Sequence, residues 1–229
     1  MKSHFGYEYF TKSLAVLGME FTTIRDLDES IDILCAHFGE DDQDLSLREE
    51  HCPYFGVMWE AGIGLSQHLT RELCEGKKII EIGCGLALPS FVATRFGGEV
   101  IATDFHIDVP AFLKLNQENN KIQFKYEELN WREHILKNDK NEFGQFDLVL
   151  GSDILYESQQ PDQVAKALIS LLKPGGKILL SDPGRAYVQK FISCMQALGY
   201  PEKFMTEKVE ASLSPNNKEK EIFLFEFLK

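Results

Sequence analysis

The sequence has 229 residues, 44% of them hydrophobic, which is enough for one domain with a sizeable buried core. Its formal net charge of −12 at pH 7 argues against sequence-independent nucleic-acid binding and against anionic membrane surfaces, because both depend on exposed lysine and arginine. The N-terminus lacks the apolar stretch of a signal peptide and no run approaches about 18 apolar residues, so neither secretion nor membrane spanning is indicated.

The first 50 residues do not follow the alternation of strands and helices that begins after them. We therefore divide the chain into a short N-terminal extension, residues 1–50, and a main domain, residues 51–229. Within the extension, two short stretches at residues 13–16 and 19–24 predict a hairpin. An amphipathic pattern predicts a helix over residues 28–38.

The acidic segment 39–50 is expected to form a solvated connection or a lid that faces the substrate. Residues 52–64 then read CPYFGVMWEAGIG and contain several aromatic residues and glycines, among them Trp59. An amphipathic helix is predicted to follow over residues 65–74.

Residues 77–104 predict a β-α-β unit. The β-branched run 77–82 is typical of a buried strand, and a helix follows over residues 88–96. The second strand of the unit, residues 99–103, ends at Asp104.

Gly83 and Gly85 form the turn after the first strand of this unit. Glycines at the carboxyl end of a strand let a ligand approach the backbone closely, and an acidic residue about 20 positions further on can bind both hydroxyls of a ribose. Asp104 stands at that distance. The pattern therefore predicts a nucleoside-containing cofactor held by Gly83, Gly85 and Asp104.

Leu88 occupies the place of the third glycine in a dinucleotide-binding fingerprint, and the sequence has no Gly-Lys-Ser/Thr phosphate loop. A cofactor with an adenosine but no phosphate is the alternative. The run EIGCGLA, from Glu81 to Ala87, resembles the first motif of class I S-adenosylmethionine (SAM) methyltransferases, which usually have a third glycine where this chain has Ala87. The resemblance implies SAM as the cofactor, with Glu81 supporting the loop or binding the cofactor amine.

Beyond Asp104 the alternation continues. Helices are predicted for residues 111–119, 161–172 and 186–198, and strands for residues 122–127, 146–151, 177–181, 204–213 and 221–228. The last two strands are expected to form an antiparallel hairpin, which is typical of the class I methyltransferases that the first motif resembles. The predicted fold class is therefore α/β, with a Rossmann-like, mostly parallel seven-stranded sheet, a C-terminal antiparallel hairpin and helices on both faces.

Three further stretches resemble methyltransferase family 16, a group of protein lysine methyltransferases. They are the segment around Trp59, the Leu-Asn-Trp run that ends at Trp131, and the D-x-x-Y pattern from Asp153 to Tyr156. The resemblance implies that Trp59 helps to form the cofactor pocket and that Trp131 lies against the adenine. Core packing of Trp59 and a partly buried loop position of Trp131 are the structural alternatives.

Asp153 and Tyr156 are expected at the same crevice as Gly83 and Asp104, because open parallel sheets bind ligands beyond the carboxyl ends of their strands. The resemblance implies that Asp153 receives and orients an acceptor amine, while Tyr156 hydrogen-bonds the amine or narrows the channel. Ser152 is expected to contact the cofactor through its backbone. The alternative is structural, with Asp153 as a helix cap and Tyr156 in the core.

Two other positions are of interest. The run Asp-Pro-Gly-Arg that ends at Arg185 resembles an element of the branch that methylates lysines of the electron-transfer-flavoprotein β-subunit. Arg185 is expected either to meet an acidic group of the substrate or to cap the following helix. His106, two residues after Asp104, is a candidate general base.

The function that these motifs favour is SAM-dependent N-methylation of a lysine side chain in a protein substrate, with no metal. The alternatives are a small-molecule N-methyltransferase on the same fold and a non-catalytic SAM-binding module. An NAD-dependent oxidoreductase is the least favoured alternative.

The five cysteines are odd in number and widely spaced, which favours reduced thiols in a cytoplasmic compartment. The sequence leaves the oligomeric state open.

Overall fold

The computed structural model describes residues 1–38, 51–136, 144–214 and 217–229. The strands in these ranges are β1 Thr11–Val16, β2 Met19–Ile24, β3 Lys78–Ile82, β4 Glu99–Asp104, β5 Lys125–Glu128, β6 Phe146–Ser152, β7 Leu172–Asp182, β8 Glu202–Val209 and β9 Lys220–Phe227. The α-helices are α1 Leu27–Phe38, α2 Glu60–His68, α3 Arg71–Cys74, α4 Leu88–Arg95, α5 Val109–Asn120, α6 Trp131–Leu136, α7 Gln160–Leu171 and α8 Val188–Ala197. A 3-10 turn spans Pro53–Gly56.

Seven strands form one sheet in the order β5-β4-β3-β6-β7-β9-β8. Strands β3 to β7 pair in parallel, whereas β9 is antiparallel to both β7 and β8. The strand order reverses at β3, so the carboxyl ends of β3, β4 and β6 border one crevice. The predicted fold class, including the C-terminal hairpin, is confirmed.

Both faces of the sheet are covered. In β3, Ile79 packs into a core shared with α2, α4 and α5, whereas Ile80 and Ile82 pack into a core shared with α7 and α8. Successive side chains of a strand point to opposite faces, and a near-continuous apolar run is what a strand buried on both faces requires.

The N-terminal hairpin predicted near Gly18 is present as β1 and β2, and the predicted helix is present as α1. The hairpin packs on the main sheet's helices, with the rings of Phe21 and Phe91 at 5.0 Å centroid distance. Asn116 of α5 accepts from the Thr22 backbone N–H at 2.7 Å and donates to the Thr22 carbonyl at 3.2 Å. The segment 39–50, for which a connection or lid was predicted, lies outside the described residues.

The helix predicted for residues 65–74 was wrong in its bounds. Instead α2 begins at Glu60, and α3 follows as a separate short helix capped by Thr70, whose Oγ1 accepts from the Leu73 N–H at 3.3 Å. The early part of α2 contains Gly62 and Gly64, which weaken a helix on propensity alone. Here Gly64 allows close packing, because a Cβ at this position would lie 3.0 Å from the Ile222 side chain.

The Lys-Pro-Gly-Gly turn predicted before the fifth strand of the sheet is incorporated into β7. Leu172 pairs with Phe146, and the ladder resumes five residues later in β7, at the pair Leu148 and Lys177, so residues 173–176 form an irregularity inside the strand. Most of the polar connection predicted for residues 135–144 lies outside the described residues, as do residues 215 and 216 of the last hairpin.

Candidate active site

The crevice at the carboxyl ends of β3, β4 and β6 holds a cavity of about 650 Å³. This is within the range of about 300–1,000 Å³ that small-molecule sites occupy. Its walls come from five stretches of the chain, namely residues 52–62, 83–89, 104–106, 130–132 and 152–160.

The glycine turn forms the floor of the cavity. Gly83 and Gly85 have φ values of +61° and +50°, in the left-handed region that favours glycine. A Cβ at Gly83 would lie 2.8 Å from the Ile154 side chain, and one at Gly85 would lie 2.9 Å from the Phe55 carbonyl oxygen. Ala87, where the related motif usually has glycine, also adopts a left-handed φ of +58° and immediately precedes α4.

Asp104 ends β4 and lines the cavity beside this turn. Its Oδ2 accepts from the Gly85 N–H at 2.9 Å, and its Oδ1 accepts from the His106 N–H at 3.0 Å. The two backbone donors orient a carboxylate that is almost fully buried. Asp104 can therefore present its remaining lone pairs to two ribose hydroxyls.

Glu81 lies beneath the glycine turn and does not line the cavity. Its Oε2 accepts from both the backbone N–H and the hydroxyl of Ser90, which ties β3 to the first turn of α4. Burial, with a contribution from the charge of Asp104, raises the pKa of Glu81 to about 8. These hydrogen bonds are compatible with support of the loop by Glu81, and its binding of the cofactor amine stays a prediction.

Both predicted tryptophans line the cavity. Trp59 precedes α2, and its Nε1 donates to the Tyr54 carbonyl at 2.9 Å. Trp131 begins α6 and is buried, with its ring edge 3.2 Å from the position of a Cβ at Gly83. Ser152, the last residue of β6, lines the same cavity. A helix start, and not the loop expected from the sequence, thus positions Trp131.

Asp153 follows β6 and contributes to the cavity wall, but its carboxylate is already paired. Arg185 binds it side-on, with Nε donating to Oδ1 and Nη2 donating to Oδ2 at 3.0 Å. The side chain of Asp153 is 6% exposed and that of Arg185 is 35% exposed. The side chain of Arg185 thus binds Asp153 and does not cap the next helix, while binding of an acidic substrate group stays a prediction.

Asp182, for which the sequence analysis predicted no role, holds the backbone of Arg185 in the position from which its side chain binds Asp153. Oδ1 of Asp182, the last residue of β7, accepts from the N–H groups of Gly184 and Arg185 at 2.7 and 2.6 Å. Asp182 is completely buried, and burial raises its pKa to about 6. An aspartate before Pro-Gly is a turn signal, and it could have indicated this role.

Tyr156 lies at the mouth of the cavity and is 40% exposed. Its ring centroid is 6.5 Å from that of Tyr54 and 5.9 Å from the Arg185 guanidinium carbon. Partial burial and the neighbouring charge of Glu157 raise the pKa of Tyr156 to about 12, so its hydroxyl is a hydrogen-bond donor at neutral pH. Asp153 therefore does not cap a helix, and Tyr156 does not lie in the core, as the structural alternative would require.

His106 is a structural residue, so the general-base hypothesis for it is disfavoured. Its Nε2 donates to the His51 carbonyl at 3.2 Å, and its Nδ1 accepts from the Asp108 N–H at 3.2 Å. Burial lowers the pKa of His106, which keeps the ring neutral. Both ring nitrogens are therefore engaged with the backbone.

Within the described ranges, no group of three or more His, Cys, Asp or Glu side chains is arranged to hold a metal ion. The helices described there include none that is long and apolar enough to cross a membrane.

A family model described as lysine methyltransferase matches residues 39–197. The protein N-terminal and lysine N-methyltransferase EFM7 of Candida albicans is 29% identical over 70% of this chain and 70% of its own length. The histone-arginine methyltransferase METTL23 of Rattus norvegicus is 29% identical over 56% of this chain and 58% of its own length. The protein N-lysine methyltransferase METTL21A of Mus musculus is 33% identical over 55% of this chain and 59% of its own length. The chain thus spans about 58 to 70% of these relatives.

Solved structures share the fold at low sequence identity. A methyltransferase from Pyrococcus furiosus has a TM-score of 0.54 and 20% identity over 69% of this chain and 77% of its own. A 16S rRNA methyltransferase of Thermus thermophilus in complex with AdoMet and guanosine has a TM-score of 0.55 and 16% identity over 96% of this chain and 50% of its own.

Proposed function

Because the chain belongs to the lysine methyltransferase family, we propose that it transfers the methyl group of SAM to the side-chain amine of a lysine in a protein substrate. The observation that carries the proposal is the shared cavity. Gly83, Gly85 and Asp104 line this cavity together with Asp153 and Tyr156.

The residues present fit an adenosine-bearing cofactor. Gly83 and Gly85 line the cavity, where their backbone can contact the methionine portion, and the carboxylate of Asp104 suits the ribose hydroxyls. Trp131 offers a flat apolar wall for an adenine. When bound, SAM supplies a methyl group on a positively charged sulfur, which makes that carbon electrophilic.

The acceptor amine must be neutral to use its lone pair. Presenting a lysine without its proton at pH 7 costs about 4–5 kcal/mol unless the site lowers its pKa. An unpaired Asp153 would favour the ammonium form, but Arg185 balances its charge. We propose that Asp153 accepts one hydrogen bond from the amine and orients the nitrogen, and that Tyr156 borders the channel. The proton is lost to water.

The relatives include enzymes named for lysine, for protein N-termini and for arginine. An amine acceptor is favoured for this chain, because both oxygens of Asp153 already bind a guanidinium. A second guanidinium could not approach the same carboxylate side-on, whereas an amine needs only one free lone pair.

The partner and compartment are further parts of the proposal. A net charge of −12 suits a neutral or basic protein substrate and disfavours nucleic acid and anionic membranes. The odd number and wide spacing of the five cysteines favour reduced thiols and a cytoplasm-like compartment.

The test is to incubate the purified protein with tritiated-methyl SAM and a cell extract, then to hydrolyse the labelled proteins and separate methylated amino acids. We expect label in methyllysine, and loss of that label with Asp153→Asn. Label in methylarginine or only in small molecules would overturn the lysine assignment. A protein that binds SAM but labels nothing would favour a non-catalytic module.

A further inference from the structure

The loop that follows Asp104 is held by a network of buried hydrogen bonds. The His106 N–H donates to Asp104 Oδ1 at 3.0 Å, so the path of this loop sets the orientation of the Asp104 carboxylate. The Asp108 N–H in turn donates to Nδ1 of the His106 ring at 3.2 Å. The ring packs against Phe55 at a centroid distance of 4.3 Å. A chain of hydrogen bonds therefore links residues 104, 106 and 108.

The side chain of Asp108 ends in the N-terminal extension. Its Oδ2 accepts from the Tyr9 hydroxyl at 2.8 Å, and its Oδ1 accepts from the His4 N–H at 2.6 Å. Tyr7 completes the group, with its hydroxyl 2.9 Å from that of Tyr9. Asp108 is 5% exposed and Tyr9 is 2% exposed. Removing either donor would leave part of a buried carboxylate unsatisfied, which proteins rarely tolerate.

We propose that Tyr9 and Asp108 are positioning residues for the cofactor, which makes residues 4–9 part of the SAM site. Their hydrogen bond anchors the loop that orients Asp104 toward the ribose. This inference rests on the proposed role of Asp104 and assigns a role to residues 4–9 of the extension, for which the sequence analysis predicted none.

Packing supports the same conclusion. The Tyr9 ring makes edge contacts with Phe55 at 6.0 Å and with Phe112 at 5.7 Å. Phe55 lines the cofactor cavity and its carbonyl closely approaches Gly85. Phe112 lies on α5, the helix that follows the Asp104 loop. Tyr9 therefore contacts both the loop's anchor and the wall that faces the glycine turn.

The experiment measures the affinity of the full chain for S-adenosylhomocysteine and for its 2′-deoxy analogue by calorimetry. In the wild type, loss of one ribose hydroxyl is expected to weaken binding about tenfold, because Asp104 loses a partner. With Tyr9→Phe, S-adenosylhomocysteine should bind about tenfold more weakly, whereas the 2′-deoxy analogue should lose less than about threefold. A general loosening of the pocket would lower the affinity for both ligands by the same factor.

Tyr7→Phe is the matched control, because it removes a hydroxyl of the same group that does not contact Asp108. It is expected to change both affinities less than about twofold. Should Tyr9→Phe not fold, Asp108→Ala and Asp108→Asn replace it. The asparagine, whose Oδ1 accepts from the His4 N–H and whose Nδ2 can donate to the Tyr9 hydroxyl oxygen, should bind S-adenosylhomocysteine more tightly than the alanine variant and restore most of the affinity. Equal weakening of both ligands, or no weakening, overturns the inference. A wild type that binds neither ligand overturns the cofactor site itself.

Discussion

The pairing of Asp153 with Arg185 changes which form of a lysine amine the carboxylate favours. An isolated buried carboxylate would hold a lysine as its ammonium form, which cannot attack a methyl group. Paired side-on with Arg185, Asp153 keeps a fixed orientation and a reduced net charge. Its left-handed φ of +55° is one that aspartate tolerates better than most residues.

The first prediction separates cofactor binding from turnover. Asp153→Asn should leave the affinity for S-adenosylhomocysteine within about twofold and lower the rate of methyl transfer at least about 100-fold, because the acceptor nitrogen loses its orientation. Calorimetry and the tritium assay measure the two effects. Asp162→Asn, in an exposed ion pair with Lys166 on α7, is the control and should change neither. Loss of S-adenosylhomocysteine binding by a folded Asp153→Asn would show that the division of roles is wrong.

The second prediction concerns Asp182 and pH. Its folded-state pKa of about 6 lies above the ordinary value of 3.8, so the folded state prefers the protonated acid. The stability that this group contributes is present below about pH 4 and is lost as the pH rises through about 6.

Asp182→Asn cannot ionise and keeps the acceptor for Gly184 and Arg185. Its free energy of unfolding relative to the wild type should therefore rise by about 2–3 kcal/mol between pH 4 and pH 7. Denaturant unfolding of both proteins across that range measures the difference. If this difference in the free energy of unfolding stays constant or falls as the pH rises, ionisation of Asp182 does not destabilise the folded state.

At the scale of elements, the turn between β3 and α4 combines two separate restraints. Gly83 has a left-handed φ and also lies against Ile154 and Trp131. Gly76 has a similar φ of +67° but has nothing within 4 Å of where a Cβ would be.

The third prediction compares these two glycines. Gly76→Ala should cost about 1–2 kcal/mol of stability from backbone strain alone and leave S-adenosylhomocysteine binding intact. Gly83→Ala should cost about 1–3 kcal/mol more through overpacking, and it should abolish binding. Denaturant unfolding and calorimetry test both. Equal costs and equal affinities would show that close approach at Gly83 is unimportant.

Local patterns predicted most elements of the fold, and the exceptions have a common cause. The bounds of α2 were missed because Gly62 and Gly64 disfavour a helix locally, whereas the helix packs against a strand far along the chain, with Gly64 close to Ile222 of β9. The irregular start of β7 likewise depends on its pairing with Phe146. Propensity could not reveal either, because the deciding neighbour is not local.

At the scale of the whole molecule, the motifs correctly indicated which strand ends meet, and the parallel topology brought Gly83, Asp104 and Asp153 to one cavity. What the sequence could not predict were the partners of these residues. Arg185 pairs with Asp153 across 32 positions and Tyr9 with Asp108 across 99. No short pattern links such positions, so their pairing follows only from the assembled sheet and its extension.

The most direct test of the account is calorimetric titration of the wild type and of Asp104→Ala with S-adenosylhomocysteine, with NAD titrated in parallel. We predict that the wild type binds S-adenosylhomocysteine and not NAD, and that Asp104→Ala remains folded but binds at least about 100-fold more weakly, because both ribose hydroxyls lose a charged acceptor. Undiminished binding by Asp104→Ala, or no binding by the wild type, would contradict the assignment of this crevice as the cofactor site.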